Sequence, residues 1–361
     1  MNSNVVTLHS HGTNNRYYNI KNALPVFLSP TLKHLHLSCV DISCATEAFA
    51  ALGSESQSIR TPLETLILQR CIVPSSRLDE FQAILSRPRA LRSFTVLLDV
   101  DFRQYGMQLD AQRVHAPNFV RAIQQQSDSL EYLRYMHRPI DRPARGSPEH
   151  FDPNLFSALS TLRQSSPGLS TFHRLHTFDV DHRSNLAEFL LNKALAPPNL
   201  RTLGLTGLSY NCELSWRHLP AFVSAIASAI PFSHLRLHTR PSGYDIADVS
   251  HMFSRPTFTD SYNGTPPLRD VLLSLVKILD MRRTVKLVCS RQARHLAGFH
   301  PPFLYGEHMP DEAVIFNSEK LWSEEGCVDE RFEVEEYTSE EGKISGWKGP
   351  FSGLGNSFWA E

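Results

Sequence analysis

The spacing L-x-x-L-x-L, or its apolar equivalent, recurs seven times along the chain. It appears as LKHLHL from residue 32, LETLIL from 63, LRSFTV from 91, LEYLRY from 130, LHTFDV from 175, LRTLGL from 200 and FSHLRL from 232. Successive starts are 31, 28, 39, 45, 25 and 32 residues apart. Most intervals carry a segment of helical periodicity, so the repeating unit is a strand followed by a helix. The helical segments are SCATEAFAAL, SSRLDEFQAIL (capped by Ser75 or Ser76 and stopped before Pro88), APNFVRAIQQQ, DPNLFSALSTL, SNLAEFLLNKAL and WRHLPAFVSAIASAI.

Side chains alternate across a strand, so the first, fourth and sixth positions of each rung point inward and the third, fifth and seventh point the other way. A single rung cannot bury its leucines, whereas stacked rungs can. The expected fold class is α/β, a leucine-rich-repeat-like solenoid over residues 1–300. In this horseshoe, parallel strands form the concave face and helices the convex one. A doubly wound nucleotide-binding fold would need continuous apolar strands and a Gly-rich phosphate loop, and the chain has neither.

The pattern resembles the leucine-rich repeat, whose signature continues to an Asn or Cys at the ninth position. Here only Cys71 fills that position; Val40, Asp99, Arg138, Arg183 and Leu208 stand in other rungs. Openings such as PTLKHLHLS and TPLETLILQRC resemble the repeat half of fungal F-box-type proteins. That resemblance implies a substrate-recruiting arm of an SCF-type ubiquitin ligase. An F-box opens with Leu-Pro, and ALPVFLSPTL offers Leu24 and Pro25, but the first rung begins a few residues later and leaves no room for the box. A Skp-type adaptor is therefore expected as a partner only through an F-box lying upstream. The alternative is a scaffold or interaction protein with no link to ubiquitin transfer.

Composition supports a globular, intracellular protein. Apolar residues make up 41% and charged residues 20% of the 361, and there is neither a secretory signal nor an apolar run long enough to span a bilayer. Asn263, in YNGTPP, is then turn chemistry rather than a glycan site. The six cysteines form no C-x-x-C pair, which removes zinc-ribbon and thioredoxin-like readings.

The net charge of -1 conceals an asymmetry. Residues 305–361 hold 14 Asp/Glu against 4 Lys/Arg, and the rest of the chain holds 23 against 32. Residues 301–361, with Trp322, Trp347 and Trp359 and a hairpin suggested by Phe332, Val334 and Glu341-Gly342, are either a cap on the repeat array or a flexible acidic tail. A cap would fold back on the basic residues Arg282, Arg283, Lys286, Arg291 and Arg294. Three inserts, 99–118, 138–150 and 240–267, are surface loops, mobile or in contact with a partner.

No catalytic arrangement emerges. There is no G-x-S-x-G, no H-E-x-x-H and no phosphate-binding loop, so the chain is read as a non-enzyme that takes no cofactor. His34 and His36 share a face about 7 Å apart, but their neighbours Thr65, Ile67 and Gln69 are poor metal ligands; no metal site is expected, only a solvated pair. The basic residues are spread out rather than interleaved with aromatics, which argues against nucleic acid. What remains is a protein partner on the concave face. The expected contact residues are Tyr132, Arg134 and Met136, flanked by the exposed acidic pair Asp179 and Asp181, with His34, His36, His234 and Arg236 around them, because Tyr and Arg dominate binding hot spots.

Overall fold

Each of the seven rungs forms one strand of a single ten-stranded sheet, and the strands follow one another in chain order. A computed structural model describes residues 5–9, 18–52, 60–71, 79–98, 116–137, 168–182, 184, 186–209, 213–240, 268–280, 283–290 and 312–321. The rungs are β3 (His34–Ser38), β5 (Thr65–Cys71), β6 (Ser93–Leu98), β7 (Tyr132–His137), β8 (Thr177–Asp181), β9 (Thr202–Ser209) and β10 (His234–Arg240). TVKLVCS extends the sheet as β11 (Thr284–Ser290). Two edge strands complete it: β1 (Val5–His9), parallel to β3, and β12 (Glu312–Asn317), antiparallel to β11. A separate two-stranded sheet pairs β2 (Tyr18–Asn19) with β4 (Val40–Asp41).

Register is set by the fourth position of each rung. Leu35 lies opposite Leu66, Leu66 opposite Phe94, then Leu133, Phe178, Leu203, Leu235 and Val285 in turn. All are buried in one continuous apolar core, joined by the sixth-position residues Leu37, Leu68, Val96, Tyr135, Val180, Leu205 and Leu237. A slip of one residue would turn every one of these side chains to the other face, so the register is held by the burial of the whole row.

Parallel strands added always on the same side through right-handed crossovers carry their connections on one face. Ring contacts identify that face. Phe81, from the Asp79–Leu85 helix, meets Phe94 edge-on at 6.4 Å between centroids, and Phe119, from the Ala116–Ile123 helix, lies 4.6 Å from Tyr135. The Ala45–Ala50, Glu213–Ala229 and Leu268–Ile278 helices each bury apolar residues in the same core, and Ile278 stays exposed.

Elsewhere the pattern departs from expectation. Among the described residues of SNLAEFLLNKAL, only Ala187–Leu191 is helical, and it is a 3-10 turn. It lies in the shortest step between rungs, where a tighter helix that rises further per residue spans the gap with fewer residues. The DPNLFSALSTL segment, Ser75 and Ser76, residues 138–150, most of the inserts 99–118 and 240–267, and the tail tryptophans lie outside the described residues. The strands β1 and β12 come from segments read as a polar terminus and as acidic-aromatic sequence. Val6 and Leu8 nevertheless fall opposite Leu35 and Leu37, and Phe316 joins the core.

At the last rung Glu319 meets Lys286 at 3.6 Å, and the Thr284 hydroxyl donates to it at 2.9 Å. Arg283 instead covers the Phe232 ring, 4.9 Å from its centroid. Arg282, Arg291 and Arg294 lie outside the described residues.

The ninth positions share no common residue. Val40 and Leu208 are simply buried there, while the Cys71 thiol donates to the Leu97 carbonyl of the next strand. A buried Gln126 supplies a separate tie. Its amide donates to the carbonyls of Leu85 and Pro88 and its oxygen accepts from the Leu91 N–H, which satisfies three backbone groups where the preceding unit passes into its own.

Candidate functional site

The face opposite the helices is made of third, fifth and seventh positions. The third positions are half-buried or exposed, but His36, Ser38, Met136, Asp179, Asp181, Thr206 and His238, at fifth and seventh positions, are almost fully buried. The expected solvated histidine pair and exposed acidic pair are thus corrected. His36 is buried and pairs its Nε2 with Gln69 Oε1 at 2.8 Å, while His34 is only half-buried. Asp179 and Asp181 are sunk in the sheet. The physical reason lies in the neighbouring strands, and for the aspartates it begins with glycine.

Asp179 lies opposite Arg134 on one side and Gly204 on the other. A β-carbon at Gly204 would overlap the Asp179 carboxylate outright, so the missing side chain is the space this carboxylate occupies. Asp181 uses Gly207 in the same way: a β-carbon there would come 2.5 Å from its Oδ1, and Gly207 adopts φ +77°, which disfavours other residues. Glycine inside a strand commonly marks such a close approach.

Around Asp179 the donors converge. The Tyr132 hydroxyl donates to Oδ2 at 2.7 Å, Arg134 Nε stands 3.8 Å from the same oxygen, and His238 Nε2 lies 3.7 Å from Oδ1. The last two contacts exceed hydrogen-bond length and act through charge, His238 only when protonated. Burial alone pushes the Asp179 carboxyl up, but His238, Arg134 and Tyr132 together outweigh it and hold the group below its ordinary value of 3.8. Arg134 is itself steadied by Met136, whose sulfur accepts from its Nε at 3.0 Å. Nearby, His182 Nδ1 lies 2.9 Å from the Thr206 carbonyl oxygen and 3.7 Å from Asp181 Oδ1.

The structure therefore brings Tyr132, Arg134, Met136 and Asp179 into one cluster, with Asp181 one pleat further along. His234 and Arg236 sit on β10, where Arg236 lies opposite Gly204. His34 and His36 are on β3, three strands from Tyr132, and do not join. The rung spacing places Gly204 and His238 on this face without marking them as contacts, and it gives no sign of His182 or Gly207. The mid-strand glycines in TLGLTGLS were the available signal, but only pairing with β8 shows which carboxylates they admit.

Among the described residues, no group of three or more His, Cys, Asp or Glu side chains could hold a metal ion. Among them too, no helix is long and apolar enough to cross a membrane. Comparison of the chain with known protein families, curated proteins and solved structures finds no match.

Proposed function

We propose that the chain is a protein-recognition module, built as a leucine-rich-repeat-like solenoid whose sheet face opposite the described helices receives the partner. The observation that carries this reading is the half-buried pair Tyr132 and Arg134, held in place by a buried carboxylate. Side chains fixed before binding lose less entropy on association, and Tyr and Arg are the residue types that most often dominate interface energy. The chain-ordered parallel strands supply a long surface of such positions at regular spacing. The arrangement also fits a substrate-recruiting arm of an SCF-type ubiquitin ligase, the reading that the sequence resemblance favours. The alternative is a scaffold without any ligase connection.

Photo-reactive side chains placed at Thr95 and Thr202, both half-buried on this face, test the proposal. They should capture a discrete protein that a probe at exposed Lys193 does not. A Skp-type adaptor among the captured proteins supports the ligase arm, and a discrete partner without it supports the scaffold. Equal capture from all three positions sinks the recognition role.

A further inference from the structure

Two rungs of the sheet hold a carboxylate in the same way. On β7 the third-position Tyr132 donates its hydroxyl to Asp179 Oδ2 at 2.7 Å while the fifth-position Arg134 stands 3.8 Å from that oxygen. On β11 the third-position Thr284 donates its hydroxyl to Glu319 Oε1 at 2.9 Å while the fifth-position Lys286 lies 3.6 Å from Oε2. The recurring device is a donor at the third position and a cation two residues on, on one side of the strand, together spanning about 7 Å.

β10 carries the same device with His234 and Arg236. His234 lies in register with Thr284, and Arg236 with Lys286. His234 is exposed and Arg236 half-buried, and among the described residues neither side chain has a hydrogen-bond or ion-pair partner. Among the described residues, the two carboxylates that this device holds are already committed. Asp179 is held by Tyr132, Arg134 and His238, and Glu319 by Thr284, Lys286 and Asn317. Arg236 also stands beside Lys286, a like-charge neighbour whose repulsion an added anion would relieve.

We propose that His234 and Arg236 bind a carboxylate side chain of a partner protein, so that the recognised segment is acidic. This rests on the recognition reading above and names the chemistry of its partner. A guanidinium pairs with a carboxylate through parallel N–H donors, and the imidazole adds a further donor. A nucleic-acid backbone suits the face less well. It needs a track of free cations, whereas Arg134 and Lys286 are already matched by Asp179 and Glu319, and Asp179 lies within two strands of Arg236.

The test uses the full chain with labelled arginine, following the side-chain Nε–H resonance of Arg236, assigned by its loss in Arg236→Lys. A peptide of alternating Glu and Ser should move this resonance, and its Gln-Ser counterpart should not. In His234→Ala the apparent dissociation constant should rise on the order of tenfold, with melting unchanged because His234 has no side-chain partner among the described residues. A shift produced by single-stranded RNA and not by the Glu-Ser peptide overturns the proposal, as does a shift with neither. If Arg236→Glu still captures the same protein through the Thr95 and Thr202 probes, the recognition role stands and the acidic ligand is wrong.

Discussion

On the face opposite the described helices, the β5–β6 stretch and the β8–β10 stretch occupy equivalent positions and behave differently. At β5 and β6 the residues are Thr65, Ile67 and Gln69, then Ser93, Thr95 and Leu97, all uncharged and all half-buried. At β8 to β10 the same positions bury Asp179, Asp181, Thr206 and His238. Strand spacing and pleat are common to both. What differs is Gly204 and Gly207, which admit carboxylates into the sheet, and the donors that then surround them. Burial on this face is thus a property of cross-strand neighbours, whereas on the helix face it follows from apolar residues at a fixed period.

That contrast can be broken from the helix face first. Leu66→Asp strands a charge among Leu35, Phe94 and the helices. It should cost more than about 4 kcal/mol, measured by urea unfolding, or leave the chain unfolded. A folded, cooperative Leu66→Asp protein would remove the shared core on which the whole architecture rests.

Next comes the glycine floor. Gly204→Ala drives a methyl into the Asp179 carboxylate and should destabilise by about 1–3 kcal/mol, while Thr95→Ala, at the same position on β6, should stay within about 0.5 kcal/mol. The double variant Gly204→Ala with Asp179→Ala should recover part of the loss, because the clash has gone. Equal costs for the two single variants would mean that β8–β10 is no more constrained than β5–β6.

The acid dependence sharpens the comparison further. Asp179 holds its proton less readily in the folded protein than in the unfolded chain, since its folded value lies below 3.8. Its contribution is therefore complete above the ordinary aspartate range and is lost as the pH falls through the folded value. Urea midpoints of the wild type should drop below about pH 5 more steeply than those of Asp179→Asn. Parallel acid limbs would show that the carboxylate gains nothing from Tyr132, Arg134 and His238. Thr65→Asp gives the smallest effect, within about 0.5 kcal/mol, because the half-buried site lets the new charge reach water; a large loss there would show that β5 is as closely packed on this face as β8.

Much of the fold could be read in advance because leucine spacing is a local signal. Leu35, Leu66, Leu133 and Leu203 each sit in a stretch whose period of two places them on one face, and their pairing in register follows. The two edge strands escaped because neither carries a full rung. Val6 and Leu8 stand alone in a polar terminus, and β12 lies in acidic sequence and runs antiparallel. Of the site, Tyr132, Arg134, Met136 and Asp179 were picked out by position and residue type. Their mutual contact was not, nor was the partnership of His238 with a carboxylate 59 positions earlier in the numbering.

The amino-acid sequence by itself determined the strand-helix alternation, the inward row of leucines and the set of residues offered to the opposite face, since these depend only on neighbours a few positions apart. Tertiary structure alone decided which of those offered residues are buried and how they are charged. Asp179 becomes a held carboxylate because β9 brings a glycine beside it, β7 a hydroxyl and a guanidinium, and β10 an imidazole. Those groups are distant along the chain and meet only when parallel strands align, and the energy of a buried charge depends on that meeting.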